Sequence, residues 1–317
     1  MDFLKNPNIN FIKWRWHAIG LSLLVVLAGV FQLATKGLPL GIDFSGGTLI
    51  VVRFTQQVDE GAVRRAIEAI PGDKIIQPYG DASDNEWLIR LPQASTEAGG
   101  TLGQGAEAVV SNLKAANLGV FEIISQDVVG PIIGRDLQLR GIYATLASIA
   151  GITIYIGLRF RFAFAIGAIA ATFHDVLVTL AFLTFFNYDL SLNIVAAILT
   201  ITGYSVNDTI VIFDRVRENL RGMRREPLEH VVNLSVNQTL SRTIITAGTT
   251  FLAVLSLYLF GGEVLEGFAF TMLVGIISGT YSTVFIAAAI AIVLSGKQAK
   301  ARSAAATKPA TGGRKAA

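Results

Sequence analysis

The residues best placed to do chemistry lie between Tyr204 and Asn219, in the run Y-S-V-N-D-T-I-V-I-F-D-R-V-R-E-N. They close an apolar run that begins at Leu190 and is long enough to cross a bilayer, yet Asp208 stands well inside it with Asn207 beside it. A carboxylate there costs about 2.5–3.5 kcal/mol on insertion scales, so such a residue normally has a partner, faces other helices and marks a functional site. On a helix turning about 100° per residue, Asn193, Tyr204, Ser205, Asp208 and Arg215 fall within about 60° of one meridian, with Ala197 and Ile201 on the same stripe. The next apolar run offers Arg242, Thr246, Thr249, Ala253 and Ser256, spaced four, three, four and three. The two polar seams are expected to face each other, so that Asp208 and Arg242 meet directly or through water. The chemistry of such a pair is proton handling. Desolvation favours the neutral acid and a nearby guanidinium favours the carboxylate, and where the two nearly balance the site can load and release a proton. The alternative is a static ion pair that only fixes helix packing.

His174 and Asp175 are adjacent near the middle of another apolar run. They are expected either to join a proton relay or to make a hydrogen bond that orients helices. Gly275, Gly279 and Thr283 repeat at four with Ser278 and Ser282 nearby, a spacing that lets helix backbones approach, here expected to serve packing, within the chain or against a different subunit. Gly41, Gly46 and Gly47 around Asp43, and later Gly130-Pro131, fit turns where one unit hands over to the next. No nucleophile–base–orienter set appears, so nothing supports an enzyme. The three histidines are too scattered for a metal cluster and there is no cysteine.

These groups need a scaffold, and composition indicates which. Of 317 residues, 52% are hydrophobic and only 15% charged, which describes a polytopic membrane protein. A net charge of +3 is too small to suggest nucleic acid as a partner. Residues 1–17 form a basic, Trp-flanked entry and residues 18–36 a first, uncleaved span. From 37 to 137 helix and strand signals alternate in the order βαββαβ, which predicts an α+β ferredoxin-like domain. Its first helix is expected to begin after Asp59, bury Val63, Ala66, Ile67 and Ile70, and stop at Pro71-Gly72. Its second is expected to bury Ala106, Val109, Val110, Leu113 and Ala116, and Phe121 and Ile123 to face inward from the last strand. Residues 138–296 hold five more spans, with a connector at 214–240 whose Val231, Val232, Leu234 and Val236 suit a membrane surface. The tail, 297–317, is expected to be disordered. Lys and Arg gather at the N-terminus, at Arg159 and Arg161, after the fourth span and after the sixth, while the loops 187–191 and 261–267 have none. Basic loops stay in the cytoplasm, so both termini are expected inside and the αβ domain in the periplasm.

The motifs G-I-D-F-S-G-G (Gly41–Gly47), V-G-P-I-I-G (Val129–Gly134), H-D (His174–Asp175), S-V-N-D-T-I-V-I-F-D-R-V-R-E-N, N-Q-T-L-S-R-T (Asn237–Thr243) and G-T-Y-S-T-V-F-I-A (Gly279–Ala287) span nearly the whole chain in order. Together they resemble the SecF family, subunits of the bacterial SecD–SecF accessory complex of the Sec translocase, in the resistance-nodulation-division superfamily. The resemblance implies coupling of the proton-motive force to completion of preprotein export across the inner membrane. It implies no cofactor beyond the proton itself, and it carries the family's intramembrane Asp and Arg onto Asp208 and Arg242. It also implies SecD, with its own aspartate, the SecYEG channel with its accessory subunits, and unfolded preproteins as partners. One departure is Ala287–Ala289, where a proline is expected in many relatives, leaving the bend of the last helix open. Two other classes compete: half of a transporter for lipids or small hydrophobic solutes, and a passive scaffold of the translocase.

Overall fold

A computed structural model describes residues 7–71, 74–80, 84–92 and 104–296. The Gly/Ser/Thr-rich stretch before residue 104, Gly72 and the tail 297–317 lie outside the described residues. Helix α1 (Arg15–Lys36) ends at Gly37, whose φ of +76° breaks the helix. A short helix α2 (Ile42–Ser45), not expected from the sequence, precedes strand β1 (Gly47–Phe54). Gly46 and Gly47, at φ +69° and +129°, make the abrupt change from helix to strand that a side chain would oppose. Then follow α3 (Glu60–Ala66), β2 (Ile75–Tyr79), β3 (Glu86–Pro92), α4 (Gln104–Ala115) and β4 (Phe121–Val129).

These strands form one antiparallel sheet in the order β2-β3-β1-β4. Ile50 and Val52 of β1 and Ile89 and Leu91 of β3 are buried together with Val63, Ile67 and Ile70 and with Ala106, Val109 and Leu113, a separate core for this unit. The Asp59 carboxylate accepts from the Gly61 amide at 3.0 Å and starts α3. The helix stops at Ala66, earlier than expected, and a turn carries Ile67 and Ile70 into the core. Three expected core positions are not core: Val110 is only half-buried and stands outside that cluster. Ala116 falls beyond the end of α4 and is exposed. Ile123 is 40% exposed, because a bulge opposite Val51/Val52 inserts a residue into β4, an edge strand, and breaks its alternation.

Five long helices follow: α5 (Pro131–Arg159), α6 (Phe162–Phe185), α7 (Leu192–Gly222), α8 (Leu228–Phe260) and α9 (Glu263–Ser282). With α1 they make six helices, among the described residues, long and apolar enough to cross a membrane. Helix α5 starts at Pro131, directly after the sheet, with Gly130 in extended conformation at its N-cap. The connector expected at 214–240 is instead two helix ends: α7 and α8 run on through it, and only Met223–Pro227 are unwound. Val231, Val232 and Val236 do not lie on a membrane surface. They are buried, Val232 and Val236 in one core with Phe213, Val216 and Ile12. The arms are tied by Arg215 Nε to Gln238 Oε1 (2.7 Å) and Asn219 Nδ2 to Ser235 Oγ (2.9 Å).

Helix α9 is the most enclosed of the six. Its small-residue stripe packs inside this chain: a Cβ on Gly275 would stand 2.3 Å from Ile201 Cδ1, and one on Gly279 would stand 2.9 Å from Ser205 Cβ. Those glycines therefore seat α7 and are not free for another subunit. The helix continues to residue 296 through a π-helical turn at Thr283–Ala287, so it is distorted beside the expected proline position without a proline.

Candidate functional site

Asp208 sits on α7 where α8 crosses it. One carboxylate oxygen, Oδ1, accepts from Thr243 Oγ1 at 2.8 Å, while Oδ2 is buried with no hydrogen-bond partner. The chain therefore satisfies only half of a carboxylate that it has taken out of water, and a proton would remove the charge left unpaired there. Arg242, next to Thr243, acts on Asp208 through its charge but makes neither an ion pair nor a hydrogen bond with it. Thr243, which the sequence gave no separate reason to pick, is the direct partner.

The polar seam of α8 meets α7 only at its start, where Arg242 acts on Asp208 and Thr246 lies against Tyr204. Arg242, Thr246, Thr249, Ala253 and Ser256 are all exposed, and the three hydroxyls bond carbonyls of their own helix at 2.8–2.9 Å. Phe251, Val254 and Tyr258 take the contact with Ala197 and Ile201 instead, since bulkier apolar groups fill that gap. Asn207 is also exposed. Asn193 reaches the Val264 carbonyl at 3.4 Å.

Asp175 on α6 is 1% exposed and fully engaged. It accepts from Ser205 Oγ of α7 (2.5 Å), Ser282 Oγ (2.7 Å) and Ser278 Oγ (2.7 Å) of α9, and His174 Nδ1 lies 3.1 Å from it. Three helices meet on this one carboxylate. Ser278 and Ser282, expected only to make room for packing, are its hydrogen-bond donors. His174 Nε2 is buried without a partner, and its ring lies 6.3 Å from Tyr281. No hydrogen bond joins Asp175 to Asp208. The link between them is α7 itself, since Ser205 stands one turn before Asp208.

At the sheet end of the bundle, the loop between α6 and α7 is clasped by the sheet domain. The Gly41 amide donates to the Leu190 carbonyl (2.8 Å) and the Leu190 amide to the Pro39 carbonyl (2.7 Å). A Cβ at Gly41 would meet that Leu190 oxygen at 3.0 Å. Asp43 Oδ2 accepts from the Leu192 amide at 2.9 Å, so the acidic residue among the glycines caps the helix that carries Asp208. Arg90 of β3, nearly buried, pairs with Asp189 of the same loop. Burial pushes the Asp189 carboxyl above its usual range, and Arg90 pulls it part of the way back. Tyr188 adds a hydrogen bond to Glu266 of α9, and burial pushes its phenol up.

The clasp has a testable consequence. A carboxyl raised in the folded state holds its proton more readily there than in the unfolded chain. Its contribution to stability is thus present below its ordinary value and fades as pH rises through the raised one. Acidification therefore discharges Asp189 and loosens its tie to Arg90 without unfolding the chain. Because Asp189 is partly exposed, the tie is worth about 1 kcal/mol, so Arg90→Gln should speed amide exchange at Gly41 and Leu190 about fivefold at neutral pH. The acid-dependent part of that exchange should vanish in the variant.

Comparison with known proteins agrees with this architecture. A family model described as "Protein export membrane protein SecD/SecF, C-terminal" matches residues 109–297, and one described as "SecD/SecF GG Motif" matches residues 33–58. The "Protein translocase subunit SecF" of Koribacter versatilis is 36% identical over 91% of this chain and 92% of its own length. That of Escherichia coli O157:H7 is 38% identical over 91% and 88%. The crystal structure of SecDF from Thermus thermophilus, "a translocon-associated membrane protein", superposes with a TM-score of 0.82 at 33% identity, over 93% of this chain and 40% of that one. SecDF "in Super-membrane-facing form" superposes less closely, at 0.70, with the same 33% identity. This chain thus spans about two fifths of each solved SecDF chain. Six apolar helices and these relatives describe a multi-pass inner-membrane protein of the export machinery. The chain belongs to the SecF family of protein translocase subunits.

Proposed function

We propose that this chain couples the proton-motive force to the completion of preprotein export, with the proton as its only coupling ion and no enzymatic step. The observation that carries the proposal is the half-satisfied carboxylate of Asp208, on a helix whose other end is capped and clasped by the sheet domain. Proton uptake would remove a charge from between α7 and α8. The resulting shift of α7 would reach the sheet domain through Asp43, Leu190 and Arg90.

The finer assignments follow the same reading. The strand order β2-β3-β1-β4 with α3 and α4 supports a ferredoxin-like unit. The basic residues at the far end of the bundle support a cytoplasmic location for both termini and a periplasmic one for the sheet. The exposed seam of Arg242, Thr246, Thr249, Ala253 and Ser256 supports a SecD half as the neighbour that covers it and supplies a second aspartate. The SecYEG channel and unfolded preproteins are the further partners. Thr249→Trp places a bulky ring on that seam without touching the chain's own core. It should leave this chain folded and sharply lower its co-purification with the SecD half, while Leu252→Trp, also on the exposed surface of α8, should not. Equal recovery of both variants would remove the seam as the interface.

A further inference from the structure

At the end of the bundle remote from the sheet, residues before α1 fold across the first turns of α8. The Ile9 amide donates to Asn237 Oδ1 (2.9 Å), and Asn233 and Asn237 donate back to the Ile9 carbonyl (3.1 and 2.9 Å). A cleft of about 500 Å³ opens where the two segments meet, large enough for a lipid headgroup. Its walls include Lys13, Arg15, Trp16, Glu229, His230 and Asn233. Arg15 Nη2 pairs with Glu229 at 2.9 Å, its guanidinium lies 5.8 Å from the centre of the Trp16 ring, and its Nε is buried without a partner. Lys13 is exposed and has no ion-pair partner among the described residues. Two fixed cations against one carboxylate leave the cleft net positive.

What borders the cleft indicates what would occupy it. Trp14 and Trp16 are 62% and 61% exposed at the start of α1, and Leu21 and Leu24 continue an exposed apolar flank one to two turns deeper. Exposed tryptophans above an apolar flank mark the level where headgroups meet acyl chains. A soluble anion would use the cations and leave the tryptophans and the flank unexplained. We propose that this cleft is a headgroup site for an anionic phospholipid. Lys13 and Arg15 hold its phosphate, Trp16 packs on the glycerol region and the acyl chains lie along α1.

The test uses the full chain with its membrane partner in phosphatidylcholine vesicles carrying phosphatidylglycerol as a minor component. Brominated acyl chains are placed on one lipid or the other and tryptophan fluorescence is read. Trp87 lies on the sheet, and the same complex carrying Trp14→Phe and Trp16→Phe gives the signal of every other tryptophan, so the difference reports on Trp14 and Trp16. Brominated phosphatidylglycerol should quench well beyond its share of the lipid. Lys13→Gln should reduce that excess about fivefold, the worth of one basic residue at an anionic surface, and Lys13→Arg should restore it. Quenching in proportion to lipid share, or an excess that survives Lys13→Gln, would overturn the site. Absence of the excess, with millimolar inorganic phosphate changing the Trp16 emission in a way that Lys13→Gln abolishes, would reassign the cleft to a soluble anion.

Discussion

Asp208→Asn is expected to leave the bundle folded and to reduce proton-driven export to the level reached when the gradient is collapsed. The amide oxygen can still accept from Thr243 Oγ1, so the contact between α7 and α8 is kept and the stability change should stay within about 1 kcal/mol. What is lost is the option of a second protonation state. One charge carried through 100 mV is worth about 2.3 kcal/mol, a bias of about fiftyfold between two arrangements of the bundle. An asparagine moves no charge and receives none of that bias. Export into vesicles with an imposed proton gradient, followed over time together with proton flux, measures both consequences. Asp208→Glu keeps the acid but moves it by one methylene, so it should retain part of the activity. Full export and undiminished proton flux in Asp208→Asn would assign Asp208 a packing role and leave the scaffold reading standing.

Much of this site was legible in the sequence because lipid imposes a strong rule: charge inside a long apolar run is costly, so Asp208 and the His174-Asp175 pair stood out at once. The sheet domain was legible for a related reason, since alternation and three-and-four spacing report burial directly. Position on a helix face, however, does not name the neighbour. The Arg242–Ser256 stripe is regular, yet only its start reaches α7, and Phe251, Val254 and Tyr258 take the contact with Ala197 and Ile201. Contacts between distant segments were equally hidden. Arg90 and Asp189 are 99 residues apart, and nothing local to either predicts the clasp. Asp43 was seen as a companion of turn glycines, because a cap on a helix 149 residues later leaves no periodic trace. The course of the connector was not legible, because its valines carry a helical pattern that fits a membrane surface and a buried helix end alike.

The largest effect on stability is expected at Asp175. Asp175→Ala removes the acceptor of three hydroxyls on two other helices, at a site that is 1% exposed. Interhelical hydrogen bonds in membrane proteins average well under 1 kcal/mol when one partner is cut, because the donor usually finds another acceptor. Here that escape is partial. Ser282 already reaches its own helix at the Gly279 carbonyl, 3.2 Å away, whereas Ser205 and Ser278 have no bond besides the one to Asp175. Two stranded hydroxyls, a cavity the size of a carboxylate and an unpartnered His174 together cost about 3 kcal/mol. The loss should appear as a clearly lower unfolding midpoint in detergent. Asp175→Asn keeps one acceptor oxygen and should fall between. The informative variant combines Asp175→Leu with Ser205→Ala, Ser278→Ala and Ser282→Ala, because replacing both sides of a buried polar contact by apolar groups is close to neutral. If that variant is stable and still exports with Asp208 intact, the carboxylate on α6 only joins helices and the moving proton belongs to α7. If it is stable but inactive, Asp175 takes part in the relay and the chain carries two coupled acids instead of one.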